Sequence, residues 1–174
     1  MGDTIVTIIA IFLGAVLLFV FPLMAVSEWA DDTSQSYVGT VTAQFVDEAR
    51  TTTVITQDRY DALISRLSAT GNTYDIEMVV GKNDENPYKL SASDSGPSVG
   101  QNLTYKLSTT QILEEMNSNG GVFKLNTGDS ISVTVKNTNK TISQMIKGFF
   151  YSITGNDTYK IVAQYSGLVV GNAN

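Results

Sequence analysis

The feature that most constrains the fold lies near the start of the sequence, where the run from Ile5 to Val26 contains no charged residue. As an α-helix rising about 1.5 Å per residue, this run would be roughly 33 Å long, enough to cross a hydrocarbon core of about 30 Å. Most of its positions are Ile, Leu, Phe or Val, and each favours insertion by about 0.3–0.6 kcal/mol at the helix centre. We therefore predict a transmembrane helix over residues 1–26.

The alternative for this segment is a cleaved signal peptide, because Ala25 and Ser27 are small enough for cleavage before Glu28. Retention is favoured because the apolar run is longer than the usual stretch of about 7–15 residues, and because Met1–Thr4 carries no basic residue. The first basic residue after the run is Arg50, so the positive-inside rule gives no orientation. The Ser-, Thr- and Asn-rich remainder favours a C-terminal part outside the cytoplasm.

Beyond the apolar run, the spacing of hydrophobic residues predicts a helix that continues to about Arg50. Intervals of three and four residues, typical of one face of an amphipathic helix, lead from Tyr37 and Val38 to Val41 and then to Phe45 and Ala49. The β-branched run Thr51–Ile55 predicts the end of this helix. We assign residues 27–55 to the amphipathic continuation; the alternative is two helices with a break within residues 27–36.

The remaining residues, 56–174, are predicted to form an α+β domain, with mostly antiparallel strands and two or three helices covering one face. Alternating hydrophobic residues predict strands at Tyr74–Val80, Leu103–Leu107, Val122–Leu125 and Ile131–Val135. They also predict a final hairpin, with strands at Phe149–Ile153 and Tyr159–Tyr165 on either side of the turn Thr154–Asp157. Asp75 and Glu77 alternate with apolar residues, so we expect them to face water. Lys82–Gln101 is rich in Asn, Ser, Gly and Pro and predicts a surface loop.

Three helices are predicted within this domain. The first begins at Thr56, which can cap it, and ends near Gly71. The second begins at Ser108, which has the capping-box spacing from Gln111, and ends at Gly120–Gly121. Hydrophobic stripes mark the first helix at Tyr60, Leu63, Ile64 and Leu67, the second at Ile112, Leu113 and Met116, and the third at Ile142, Met145, Ile146 and Phe149.

The sequence offers few groups for catalysis. It contains no His and no Cys, which removes the commonest general base, thiolate nucleophiles and disulfides. The carboxylate pairs Asp75 with Glu77 and Glu114 with Glu115 are typical of solvated faces. A net charge of −6 without a basic cluster argues against a nucleic-acid partner. We therefore expect no enzymatic activity, no cofactor and no metal. The sequons at Asn102, Asn139 and Asn156 matter only where a glycosylation machinery exists.

The order of an apolar helix, an amphipathic continuation and a β-containing head extends over the whole chain, and it includes the segments TGNTYDIEMVV and YKIVAQYSG. This layout resembles that of type IV pilins and, within that group, is most similar to the accessory pseudopilins of tight-adherence (Tad-type) pilus systems. The resemblance implies an N-terminal helix that holds the subunit in the membrane and then packs against its own copies in a filament. It also implies other pilus or secretion components as partners.

One departure concerns the N-terminal residues. Pilins cleaved by prepilin peptidase have a basic leader, a Gly and a Glu five positions into the mature chain, whereas Gly2 is followed here by Asp3-Thr4-Ile5-Val6-Thr7. We therefore expect either that no such processing occurs or that the chain is a different anchored protein. Small residues of the helix permit close approach of another copy, and a proline loosens its backbone. We expect contacts between copies along the helix at Gly14, Ala15, Pro22, Val38, Val41 and Phe45.

Three functions follow from these observations. The first is a structural subunit or assembly component of a cell-envelope filament or secretion apparatus. The second is a membrane-anchored extracellular module for binding or adhesion, using the loop Lys82–Gln101. The third, an anchored enzyme, is disfavoured by the lack of catalytic groups.

Overall fold

The computed structural model describes residues 2–83, 104–151 and 161–171. A long apolar N-terminal helix is followed by a small antiparallel sheet domain with further helices, so the fold is α+β. In chain order the elements are α1 (Gly2–Thr52), β1 (Val54–Thr56), α2 (Gln57–Ser68), β2 (Tyr74–Asn83), β3 (Thr104–Ser108), α3 (Thr109–Ser118), β4 (Val122–Lys124), β5 (Ser130–Asn137), α4 (Ile142–Tyr151) and β6 (Val162–Leu168).

Helix α1 is continuous and includes Pro22. The prediction of one helix reaching Arg50 is confirmed, and the alternative of a break within residues 27–36 is wrong. The helix ends where the sequence becomes β-branched. Thr53 adopts a positive φ of 58°, a conformation that an α-helix does not allow, and the chain reverses there into β1.

The strands form two antiparallel sheets. One is the short pair of β1 and β4, and the other has the order β3-β2-β5-β6. In the larger sheet Tyr74 lies opposite Asn137, and Gly81 lies opposite Ser130. The next pairing, between β5 and β6, places Ser130 opposite Leu168. The strands predicted at Tyr74–Val80, Val122–Leu125 and Ile131–Val135 are confirmed, and β2 continues through Lys82 and Asn83, which we had assigned to the loop.

The predicted C-terminal hairpin is wrong at its first strand. Phe149–Tyr151 belongs to α4, because the helical spacing that starts at Ile142 continues over these residues. The strand predicted around Ala163 is present as β6, and it pairs with β5. The rest of the predicted loop from 84 to 101, residue 103, the turn 154–157 and the sequons at 102 and 156 lie outside the described residues.

The helix boundaries follow local hydrogen bonds. Thr56 caps α2 by accepting the N–H of Arg59 at 3.4 Å, and the Ser108 N–H donates to Gln111 Oε1 at 2.9 Å at the start of α3. After α2 and α3, Gly71, Gly120 and Gly121 have positive φ, as predicted for helix ends. In the stripe of α2, Leu63 and Leu67 are buried but Ile64 is exposed.

The hydrophobic core lies on one face of the large sheet, between the strands and the C-terminal half of α1, with α2 and α3 closing its sides. Strand residues at alternate positions, such as Met78 and Val133, point into this core. On the opposite face Asp75 and Glu77 are exposed, which confirms the prediction for that strand. Core residues include Val38, Val41, Phe45, Val46, Ala49, Leu63, Leu67, Met78, Val80, Ile112, Met116, Ile131, Val133 and Val135.

Candidate functional site

The two halves of α1 differ sharply in exposure. In the N-terminal half the most apolar 18-residue stretch contains no buried residue, and Leu18 is 70% exposed. In the C-terminal half Val46 is 0% exposed because it faces the sheet. A helix that is hydrophobic on all sides requires an apolar environment, and α1 is long and apolar enough to span a membrane. The exposed large side chains of this half are Ile5, Val6, Ile8, Ile9, Ile11, Phe12, Leu13, Leu17, Leu18, Phe19, Phe21, Leu23 and Val26.

Three side chains join α1 to the rest of the domain immediately after the apolar run. Asp31 is buried and accepts a hydrogen bond of 2.7 Å from the hydroxyl of Thr141. Glu28 forms an ion pair of 2.8 Å with Lys147 of α4. One turn beyond Asp31, the Gln35 side chain donates to the carbonyl of Val162 at 2.6 Å and accepts its N–H at 3.0 Å. These contacts fix α4 and the start of β6 beside the last turns before the exposed apolar segment.

The other end of β6 is held by Arg50. Its Nε donates to the Leu168 carbonyl at 2.6 Å, and its own carbonyl accepts the N–H groups of Val170 and Gly171 at 3.2 and 3.1 Å. β6 therefore runs beside α1 from Gln35 to Arg50. The side chains of Gln35 and Arg50 thus bond to backbone groups at the two ends of this edge strand, at Val162 and Leu168.

The structure separates the six predicted contact residues into two groups. Gly14, Ala15 and Pro22 are exposed, and a side chain added at Gly14 would meet no atom within 4 Å. Val38, Val41 and Phe45 are buried in the core of the chain itself. Because these three side chains are buried against the chain's own sheet, their burial does not support the prediction that they contact another copy. Their helical spacing reflected packing against the chain's own sheet.

The carboxylates considered for catalysis do not converge. Glu77 forms an exposed ion pair of 3.6 Å with Lys136, and Glu114 is exposed on α3. Among the residues that the structure describes, no group of three or more acidic side chains could hold a metal ion. The buried Asp129 has a structural role, because it accepts the Asn126 N–H at 2.8 Å within the turn before β5.

The Tyr60 phenol on α2 has a shifted pKa. Burial raises the pKa of the Tyr60 phenol above its ordinary value of 10.0, and the negative charges of Asp61 and Asp75 raise it further. Tyr60 lines a depression of about 360 Å³ with Tyr74 and Thr109. The raised pKa keeps the phenol protonated, so this tyrosine is a poor nucleophile or base at neutral pH.

In a groove between α1 and α2, both arginine side chains have a partner on α1. Arg59 forms an ion pair of 3.0 Å with Glu48, and Arg66 donates to the side-chain oxygen of Gln44 at 3.3 Å. Comparison with known protein families, with characterised proteins and with solved structures gives no match. The exposed apolar half of α1, together with the contacts that fix the domain to the other half, is the candidate functional surface.

Sequence reasoning missed the role of Asp31. Asp31 precedes Tyr37, the first residue of the predicted amphipathic stripe, and that stripe contains apolar residues alone. Asp31, Val38 and Phe45 are seven residues apart and lie on the same helix face, and all three are buried. A carboxylate on the buried face of a helix needs a hydrogen-bond partner, and this heptad spacing was the signal that could have identified it.

Proposed function

We propose that this chain is a structural protein: a membrane-anchored, pilin-like subunit or assembly component of a cell-envelope filament or secretion apparatus. The domain that follows residue 26 lies outside the cytoplasm, and the N-terminus lies inside. The observation that carries the proposal is the division of one continuous helix into an apolar half exposed on every side and a half that forms the core of the head. Lipid, and then copies of the same helix, would cover the exposed half.

The rigidity of the connection supports an assembly role. Because α1 is one helix and is fixed to the sheet at Gln35 and at Arg50, packing of the apolar half would fix the orientation of the head. The exposed Gly14 and Ala15 form a small surface where a second helix could approach closely. Ion pairs or hydrogen bonds already engage the side chains of Arg59, Arg66 and Lys147 beside these depressions, which favours a structural role over catalysis for them.

A second function, a tethered binding or adhesion module, is favoured by a different observation. The segment 84–103 connects Asn83 to Thr104, whose side chains are hydrogen-bonded at 3.2 Å. Asn83 also contacts Gly128 at 3.2 Å, close to the end of β6 that Arg50 holds. The two anchors of this segment therefore lie at the end of the head farthest from the apolar helix, the position that a partner outside the membrane would reach first.

Disulfide cross-linking distinguishes these functions, because the sequence has no native cysteine. Full-length Ala15→Cys would be expressed in the native cells, oxidised, and analysed on non-reducing gels in both membranes and sheared surface filaments. Asn117→Cys, at an exposed position on α3, is the matched control. We expect a disulfide-linked dimer for Ala15→Cys in filaments and only monomer for Asn117→Cys, because a single cysteine per chain can form one disulfide.

Filaments that lack the chain, together with monomeric Ala15→Cys in membranes, would contradict the structural proposal. The binding module then predicts that deleting residues 85–102 abolishes attachment of cells to their partner surface and leaves the amount of protein in the membrane unchanged.

A further inference from the structure

The first turn of helix α4 buries polar side chains and exposes apolar ones, the opposite of a helix that packs on a hydrophobic core. Its polar residues Ser143 and Gln144 are 2% and 6% exposed, whereas Ile142 and Met145 are 57% and 54% exposed. The hydrophobic stripe that predicted this helix thus faces away from the domain at these two positions. Exposed neighbouring apolar residues on one helix face indicate an interaction surface.

Two contacts determine where this face lies. The hydroxyl of Thr141, the residue before α4, donates to Asp31 at 2.7 Å, and Lys147 in the second turn pairs with Glu28 at 2.8 Å. Asp31 is only five residues, roughly 8 Å along a helix, beyond the last residue of the apolar run, Val26. Headgroup layers are about 5–8 Å thick on each side of the hydrocarbon core. α4 is therefore held at the level where a membrane-spanning α1 would leave the hydrocarbon.

The apolar end of α1 and the apolar face of α4 border the same open depression, whose lining also includes polar residues such as Ser27 and Lys140. Ile142 lines the same open depression as Leu23 and Val26, which lie at the end of the apolar run and are both exposed. A bilayer that covers Leu23 and Val26 therefore reaches Ile142 as well. This adjacency identifies the occupant of the α4 face as lipid.

We propose that α4 is an interfacial helix that lies on the bilayer surface, with Ile142 and Met145 inserted at the boundary between headgroups and acyl chains. The chain then contacts the membrane twice, through α1 and through α4, and the head is held against the bilayer in one orientation. The proposal rests on the membrane anchoring proposed above and does not depend on assembly into a filament.

The charges around α4 indicate which lipids are required. Glu28 is paired with Lys147, Asp31 is hydrogen-bonded to Thr141, and the exposed Asp32 and Lys140 have opposite charges. Among the residues described at this end of the head, acidic and basic side chains are balanced, so they provide no basic cluster that would attract anionic headgroups. Apolar burial is then the driving force, and zwitterionic lipid is sufficient.

Depth-dependent fluorescence quenching tests the proposal on the full chain. Three single-cysteine variants, Met145→Cys on α4, Leu13→Cys in the apolar half of α1 and Asn117→Cys on α3, would be labelled with an environment-sensitive fluorophore and reconstituted at high lipid excess into phosphatidylcholine vesicles containing acyl-chain spin labels. We expect label at 145 to be blue-shifted and quenched several-fold more strongly than label at 117, with shallow spin labels most effective. Label at 13 should be quenched best by deep spin labels.

The remaining outcomes separate the failure of α4 from the failure of the anchor. Strong quenching at 13 with equal, weak quenching at 145 and 117 would overturn the interfacial helix and leave the anchor intact. A blue-shifted label at 145 that lipid spin labels do not quench, and that shifts back to the red on dilution, would assign this face to a second copy and overturn lipid as its occupant. Absence of quenching at all three sites would overturn both contacts.

Discussion

At the scale of single residues, Thr141 makes the most consequential polar contacts. Its hydroxyl donates to Asp31 at 2.7 Å and accepts the Gln144 N–H at 3.3 Å, and its own N–H donates to Gln144 Oε1 at 3.2 Å. The last two bonds form a capping box at the start of α4. The first places a carboxylate at the positive end of that helix, where a negative charge is favourable.

Replacing Thr141 with Val should therefore destabilise the protein. The change removes a hydrogen bond to a buried carboxylate and a helix cap, which together should cost about 2–3 kcal/mol. Chemical unfolding of the full chain in detergent measures the loss, and Thr141→Ser should restore most of it. Thr40→Val, the same change at an exposed position of α1, should shift the free energy of unfolding by less than about 0.5 kcal/mol. Equal effects at 141 and 40 would show that the contact with Asp31 does not stabilise the fold.

A second residue-scale prediction concerns alkaline pH. Burial and the charges of Asp61 and Asp75 raise the pKa of Tyr60 in the folded protein, so the folded state binds the phenol proton more tightly than the unfolded state does. The resulting stabilisation is fully present below the unfolded pKa of about 10 and is lost as pH rises through the folded value. Unfolding curves between pH 8 and 11 should show a steeper loss of stability for the native sequence than for Tyr60→Phe. Parallel curves would contradict the assignment.

At the scale of elements, strong and unbroken hydrophobic patterns were sufficient for prediction. The long helix α1, the strands β2 and β5 and the capped starts of α2 and α3 follow from spacing and capping residues alone. The direction in which a face points was not predictable in the same way. Val38 and Met145 both belong to helical stripes, but one faces the core and the other is exposed. Periodicity identifies a face, and the partner of that face depends on tertiary packing.

The junction between the end of α1 and the C-terminal residues gives an element-scale prediction. A Cβ at Gly171 would overlap the backbone carbonyl of Thr51 and lie 2.8 Å from Cγ2 of Thr53. Because backbone atoms at this turn cannot rotate away, Gly171→Ala should cost about 1–3 kcal/mol. Gly39→Ala is the matched control, since nothing lies within 4 Å of its new Cβ, and a helix interior should gain about 0.5–1 kcal/mol. A stable Gly171→Ala variant would show that this contact does not constrain the end of α1.

At the scale of the whole molecule, the chain is organised around one helix. Residues 27–52 of α1 contribute to the core that the sheet, α2 and α3 complete, and the residues before them remain exposed and apolar. The α+β order could be predicted from the sequence because each element has its own local signal. The fixing of β6 along α1 could not, because Gln35 and Arg50 reach backbone atoms of residues far away in the chain, and such contacts leave no periodic pattern.

The most direct test of this organisation is the intact mass of the protein extracted from native membranes. We predict a chain that retains Ile5–Val26 and that stays with the membrane in alkaline carbonate, because an apolar helix exposed on all sides requires lipid or a bundle of its copies. A mature chain that begins at Glu28 and is recovered in the soluble fraction would contradict the account, since the anchor, the interfacial role of α4 and assembly through α1 all depend on the removed segment.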